Sequence, residues 1–172
     1  MAKERLDEKV TVRGIIFLIL TILGLFGLFV LMNNIGDDKT PATYEQVWNT
    51  LTEYECTALD YTKHFSEKYP ELDFEYAISC RDDDIYVDFF QFSNVEDANI
   101  AYSKFNSVIN KNFSRDAVET GGDMRNFTIR TYLYEGEYFY LMRVDNTVFF
   151  SRCLEPNKSL VNDIASSLGY YL

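Results

Sequence analysis

The chain has 172 residues, a formal net charge of -11, 47% apolar residues and 25% charged residues. That length suits one domain, or one domain plus an anchor, against the roughly 100–200 residues of a usual domain. Fourteen Phe, 13 Tyr and one Trp exclude a disordered chain, three Pro and eight Gly exclude a collagen-like or Pro-rich one, and the acidity argues against nucleic acid as a partner, because phosphate backbones need a basic surface.

Ile15 to Met32 is an 18-residue run without a charge, carrying Ile15, Phe17, Leu20, Leu23, Phe26, Phe29 and Leu31 among its large apolar residues. As a helix rising about 1.5 Å per residue it would span roughly 27 Å, and extension to Ile35 brings it near the ~30 Å hydrocarbon core of a bilayer. Asn33 to Asp38 follows and offers no small-x-small cleavage site, so the run reads as an uncleaved transmembrane signal anchor. Lys3, Arg5, Lys9 and Arg13 precede it, and only Lys39 lies just behind it. By the positive-inside rule the N-terminus is cytoplasmic and the C-terminal part extracytoplasmic, in a single-pass protein of the cell membrane with the lipid bilayer as a partner. The expected organisation is a cytoplasmic tail over 1–14, the anchor over 15–35, a linker over 36–43 and an extracytoplasmic domain over 44–172. The part from 37 on holds 12 Lys/Arg against 24 Asp/Glu.

Thr43 and Gln46 form a Thr-x-x-Gln capping box, and Val47, Leu51, Tyr54, Ala58, Tyr61 and Phe65 follow at alternating steps of four and three. That spacing predicts a helix over 44–68, ended by Pro70. Phe74–Cys80 and Ile85–Phe92 read as strands around an acidic turn at Asp82-Asp83-Asp84. Ser93 and Glu96 form a second capping box, with Val95, Ala98, Tyr102, Phe105 and Ile109 as the face of the next helix. A polar loop with Gly121-Gly122-Asp123 leads to a meander of Phe127–Tyr134, Glu137–Val144 and Thr147–Cys153, joined by Glu135-Gly136 and Asp145-Asn146. Pro156, Leu160, Val161, Ile164 and Leu168 predict a last helix over 156–168. The expected fold class is α+β: an N-terminal transmembrane helix, then a two-layer domain of about five antiparallel strands packed on helices in the order α-β-β-α-β-β-β-α.

Chemistry is sparse. Cys56, Cys80 and Cys153 lack the near-neighbour spacing of a zinc site, and two of them are free to pair outside the cytoplasm; a buried free thiol is the commoner fate of a single Cys. His64 is the only histidine, sits near Asp60 and Glu67, and has no nucleophile-elbow serine to serve. Asp82, Asp83, Asp84 and Asp88 lack the Gly and closing Glu of a calcium loop. No cofactor or metal is expected. Tyr138, Phe139, Tyr140, Phe149 and Phe150 crowd the meander and form the candidate interaction face. The expected function is a membrane-anchored, noncatalytic binding or assembly module for a protein partner or a second copy through helix 44–68. The alternative is a membrane-tethered hydrolase using two of the many carboxylates.

Overall fold

The computed structural model describes residues 20–25, 38–82, 84–112 and 118–171. The chain divides into two compact units, Met1–Asp37 and Asp38–Leu172. In the first unit residues 20–25 are helical, with Leu20, Ile22, Leu23 and Leu25 exposed. Ile15, Phe17, Phe26, Phe29 and Leu31 of the expected anchor lie outside the described residues. Among the described residues no helix is long and apolar enough to cross a membrane. This corrects the fold class expected above: a transmembrane helix, which needs about 20 apolar residues, is not found among the described residues.

The second unit begins before the expected domain boundary. The Lys39 N–H donates to Asn126 Oδ1 at 3.0 Å, Asn126 Nδ2 donates to the Lys39 carbonyl at 2.7 Å, and Ala42 is buried. The capping box forms as read: Gln46 N–H donates to Thr43 Oγ1 at 3.3 Å and Thr43 N–H donates to Gln46 Oε1 at 2.9 Å. The helix behind it, α1 (Tyr44–Glu53), is short. Glu55 takes φ 59°, a left-handed value that no helix continues through. Ala58–Asp60 then forms strand β1, and a second helix, α2, covers Thr62–Lys68. The single helix over 44–68 is therefore replaced by helix, strand and helix. The edge of the next strand decides this: Ala58, Leu59 and Asp60 pair with Cys80, Ser79 and Ile78 and satisfy backbone groups that an open edge would expose. Val47, Leu51 and Ala58 share one core, while Phe65 belongs to another on the opposite face of the sheet. The even apolar spacing thus straddles a crossing of the sheet edge.

Strands β2 (Phe74–Asp82) and β3 (Ile85–Phe92) form the expected hairpin. Helix α3 (Val95–Asn112) starts one residue later than its expected box: Asn94 Oδ1 accepts from Asp97 N–H at 2.8 Å, and Asn94 Nδ2 donates to Asp97 Oδ2 at 3.0 Å. The expected Gly-rich loop is strand β4 (Val118–Asp123), paired along β5 (Phe127–Tyr134). Gly121 is required there, because a Cβ would lie 2.1 Å from the Ile129 carbonyl oxygen. Strands β6 (Glu137–Val144) and β7 (Thr147–Leu154) complete the meander, and a 3-10 turn at Glu155–Asn157 leads into α4 (Lys158–Ser167). Both hairpin turns carry left-handed residues, with Glu135 at φ 48°, Gly136 at φ 82° and Asp145 at φ 46°.

The result is a seven-stranded antiparallel sheet in the order β1-β2-β3-β7-β6-β5-β4. It has three layers, not the expected two, and two more strands. On one face α1 and α4 bury Val47, Leu51, Val161, Ile164 and Ala165 against Ile78, Phe89, Tyr140 and Phe149. On the other, α2 and α3 bury Phe65, Ala98, Ala101 and Ile109 against Phe90, Phe139, Leu141 and Val148. Both faces being covered explains why β6 is apolar on both of its alternating sides.

Candidate functional site

The second face carries the site. Helix α3 lies over β3, β7 and β6, with small Ala98 and Ala101 bringing its first half close to the sheet. Its second half stands over two adjoining hollows that share Phe105 and Val108 in their walls. The first is an aromatic slot of about 180 Å³ between α2 and α3, walled by Phe65, Tyr69, Phe74, Phe90 and Phe92. Phe65 meets Phe90 edge-on at 4.8 Å between ring centroids. Phe105 stacks on Phe90 at 5.5 Å and on Phe150 at 5.0 Å, so this one ring separates the slot from the second hollow. That second hollow is a cleft of about 570 Å³ bordered by Arg81, Asp88, Glu137, Phe139, Phe150 and Arg152.

The register builds the floor of the cleft. Arg81 faces Tyr86, Tyr86 faces Arg152, and Arg152 faces Phe139, so one row across β2, β3, β7 and β6 alternates cation and ring. The Arg81 guanidinium lies 5.3 Å from the Tyr86 centroid and that of Arg152 lies 5.8 Å from the Phe139 centroid. The neighbouring row sets Ser79 opposite Asp88 and Asp88 opposite Phe150. Asp88 is buried; its Oδ1 accepts from Ser79 Oγ at 2.5 Å and from Arg81 Nη2 at 2.5 Å. Burial pushes the Asp88 carboxyl above its ordinary pKa, and the Arg81 charge and the Ser79 hydrogen bond oppose that rise. Arg81 Nη1 also donates to the Cys80 carbonyl at 3.3 Å. Arg152 Nη2 pairs with Glu137 Oε1 at 2.5 Å. Both cations of the cleft are thus matched by carboxylates.

The sequence-based candidates fall in different places. Tyr138, Tyr140 and Phe149 are buried in the core under α1 and α4, whereas Phe139 and Phe150 point to the other face and border the cleft. His64 is exposed on α2, its ring 5.8 Å from Tyr61 and 5.5 Å from Phe65. Asp82 ends β2, Asp84 lies in the turn after it, and among the described residues no group of three His, Cys, Asp or Glu is placed to hold a metal ion. Asp88 and Glu137 are the two carboxylates on the cleft. They are two strand intervals and four rungs apart, roughly 16 Å from a strand spacing of about 4.8 Å and a rise of about 3.3 Å. Each is held by its own arginine, and the acid and base of a glycosidase sit within ~10 Å.

The slot and the cation–ring row were not foreseen from the sequence. The available signal is the density of Phe at 65, 74, 90, 92, 105 and 150, of which only Phe150 belongs to the interaction face expected from the sequence.

No family model matches the chain, and no curated protein matches it. Among solved structures, the crystal structure of a GTP binding regulator from Thermotoga maritima is similar at 12% identity and a TM-score of 0.38, over 60% of this chain and 71% of that one. A likeness that distant transfers neither fold nor function.

Proposed function

We propose that the unit Asp38–Leu172 is a noncatalytic binding module, and that it seats an apolar side chain of a protein partner in the aromatic slot beside α3. The observation that carries this reading is the slot itself: an aromatic-walled hollow, open beside Val108, which is 57% exposed. Burying an aromatic or aliphatic anchor in such a hollow, with charged groups at its border, is the usual arrangement of an interaction hot spot. Lys104, paired with Glu71, stands at that border, and the Arg81–Asp88 and Arg152–Glu137 pairs lie in the adjoining cleft. The chemistry nearby favours binding over turnover, because the cleft carboxylates are sequestered by arginines.

Titration of the full chain with a short Phe-centred peptide and a Ser-centred control, followed by NMR, tests the reading. The Phe peptide is expected to shift resonances of Phe90, Phe105 and Val108 saturably. Val108→Arg should weaken this about tenfold, equivalent to about 1.4 kcal/mol, without unfolding the chain, since the side chain stands in solvent. An equal response to the Ser control, or an unaffected V108R, overturns it.

A further inference from the structure

Cys56, Cys80 and Cys153 are free, buried and in the same core. The sheet register separates them into a pair and a single. Cys80 lies on β2 opposite Ala58 of β1, and Cys56 sits two residues before Ala58 in the connection from α1. That register sets Cys56 diagonally beside Cys80 within one core, and the two thiols perturb each other's ionisation. Cys153 lies on β7, with β3 between it and β2. Cys80 faces Val87, Val87 faces Ser151, and Cys153 is two residues further along. That places Cys153 roughly 12 Å from Cys80 between Cα atoms, beyond the ~7 Å that a disulfide bridges.

We propose that Cys56 and Cys80 are a redox pair that closes to an intramolecular disulfide by exchange with a small external disulfide. The Cys56 sulfur attacks first. It lies in the short connection after Glu55 and is 6% exposed, while Cys80 is fully buried and pinned within two strand ladders. Attack on one sulfur of the external disulfide forms a mixed disulfide and expels one thiolate, which takes up the proton lost by Cys56. Cys80 then gives up its proton and attacks the Cys56 sulfur. The second external thiolate leaves and takes that proton. The protein is oxidised by two electrons, and the external disulfide is reduced to two thiols.

The bond has a consequence for the slot. It closes a loop from 56 to 80 that contains β1, all of α2 and most of β2. Phe65, Tyr69 and Phe74 of the aromatic slot lie on that loop. Cross-linking its ends restricts the loop and holds one wall of the slot against the sheet.

The test treats the full chain with oxidised glutathione, both native and during refolding from denaturant, and follows it by intact mass and non-reducing peptide mapping. The expected product is lighter by two hydrogen atoms, joins the Cys56 and Cys80 peptides, leaves Cys153 open to alkylation after denaturation, and melts at a higher Tm than the reduced chain. Cys153→Ala should behave like the parent, while Cys80→Ala should stop at a glutathione adduct on Cys56. A Cys56–Cys80 link by either route supports the pairing. Its absence by both routes, or linkage through Cys153, overturns it.

Discussion

Asp88 shows how one residue on the floor of the cleft constrains its neighbours. A carboxylate on a central strand is costly to bury unless it is paired and hydrogen-bonded, and here Arg81 and Ser79 do both. The partners are unequal. Asp88 is buried, whereas the Arg81 side chain remains 34% exposed and could be hydrated without it. Removing the arginine should therefore hurt more than removing the pair. Arg81→Ala is expected to cost about 3 kcal/mol, the low end for breaking a buried pair, because the carboxylate is left without its cation. Adding Asp88→Asn should recover part of that loss. Urea unfolding of the two single variants and the double variant measures the coupling, and additive effects would contradict it.

At the scale of elements, the first hairpin of the meander depends on its turn. Gly136 sits at φ 82° with nothing within 4 Å of where a Cβ would be, so the cost of any side chain there is backbone strain and not collision. Gly136→Ala is expected to lose about 1–2 kcal/mol, read from the denaturation midpoint at unchanged m-value. The first helix shows the opposite situation, in which a local pattern was overruled. Six apolar residues from Val47 to Phe65 keep helical spacing, and their order would suit one long helix. The unpaired edge of β2 captures Ala58–Asp60 instead, and the chain passes from one face of the sheet to the other. Helix spacing describes neighbours along the chain; it carries no information about a strand edge waiting some twenty residues further on.

The unit Asp38–Leu172 is closed by Tyr170. Its hydroxyl meets Thr147 Oγ1 and accepts from Ala42 N–H at 3.2 Å, and its carbonyl accepts from Tyr140, so it joins the start of the unit, the sheet and the C-terminal segment. Burial pushes its phenol up to about 12, against an ordinary value of 10.0, and the phenols of Tyr76, Tyr102, Tyr138 and Tyr140 are raised for the same first reason. A raised phenol keeps its proton more firmly in the folded than in the unfolded chain. The stability this contributes is complete below pH 10 and is lost as the pH climbs through about 12. Phenolate absorbance and far-UV circular dichroism should therefore change together across that window. Ionisation of these phenols ahead of unfolding would contradict the burial argument.

What the residues alone determined was local. The Thr43–Gln46 cap, the β2–β3 hairpin, the three-stranded meander with its two turns and the last helix all follow from chemistry spanning a few positions. The tertiary structure decided what needs distant partners: the edge strands β1 and β4, the third layer, the placement of Cys56 nearer to Cys80 than Cys153 is, and the row Arg81–Tyr86–Arg152–Phe139. Among the described residues it also left the expected membrane span without a helix long enough to form it. The physical reason is register. Arg81 and Arg152 have no relation along the chain, and only the hydrogen-bonded ladders of three strands, β2, β3 and β7, bring them to one cleft.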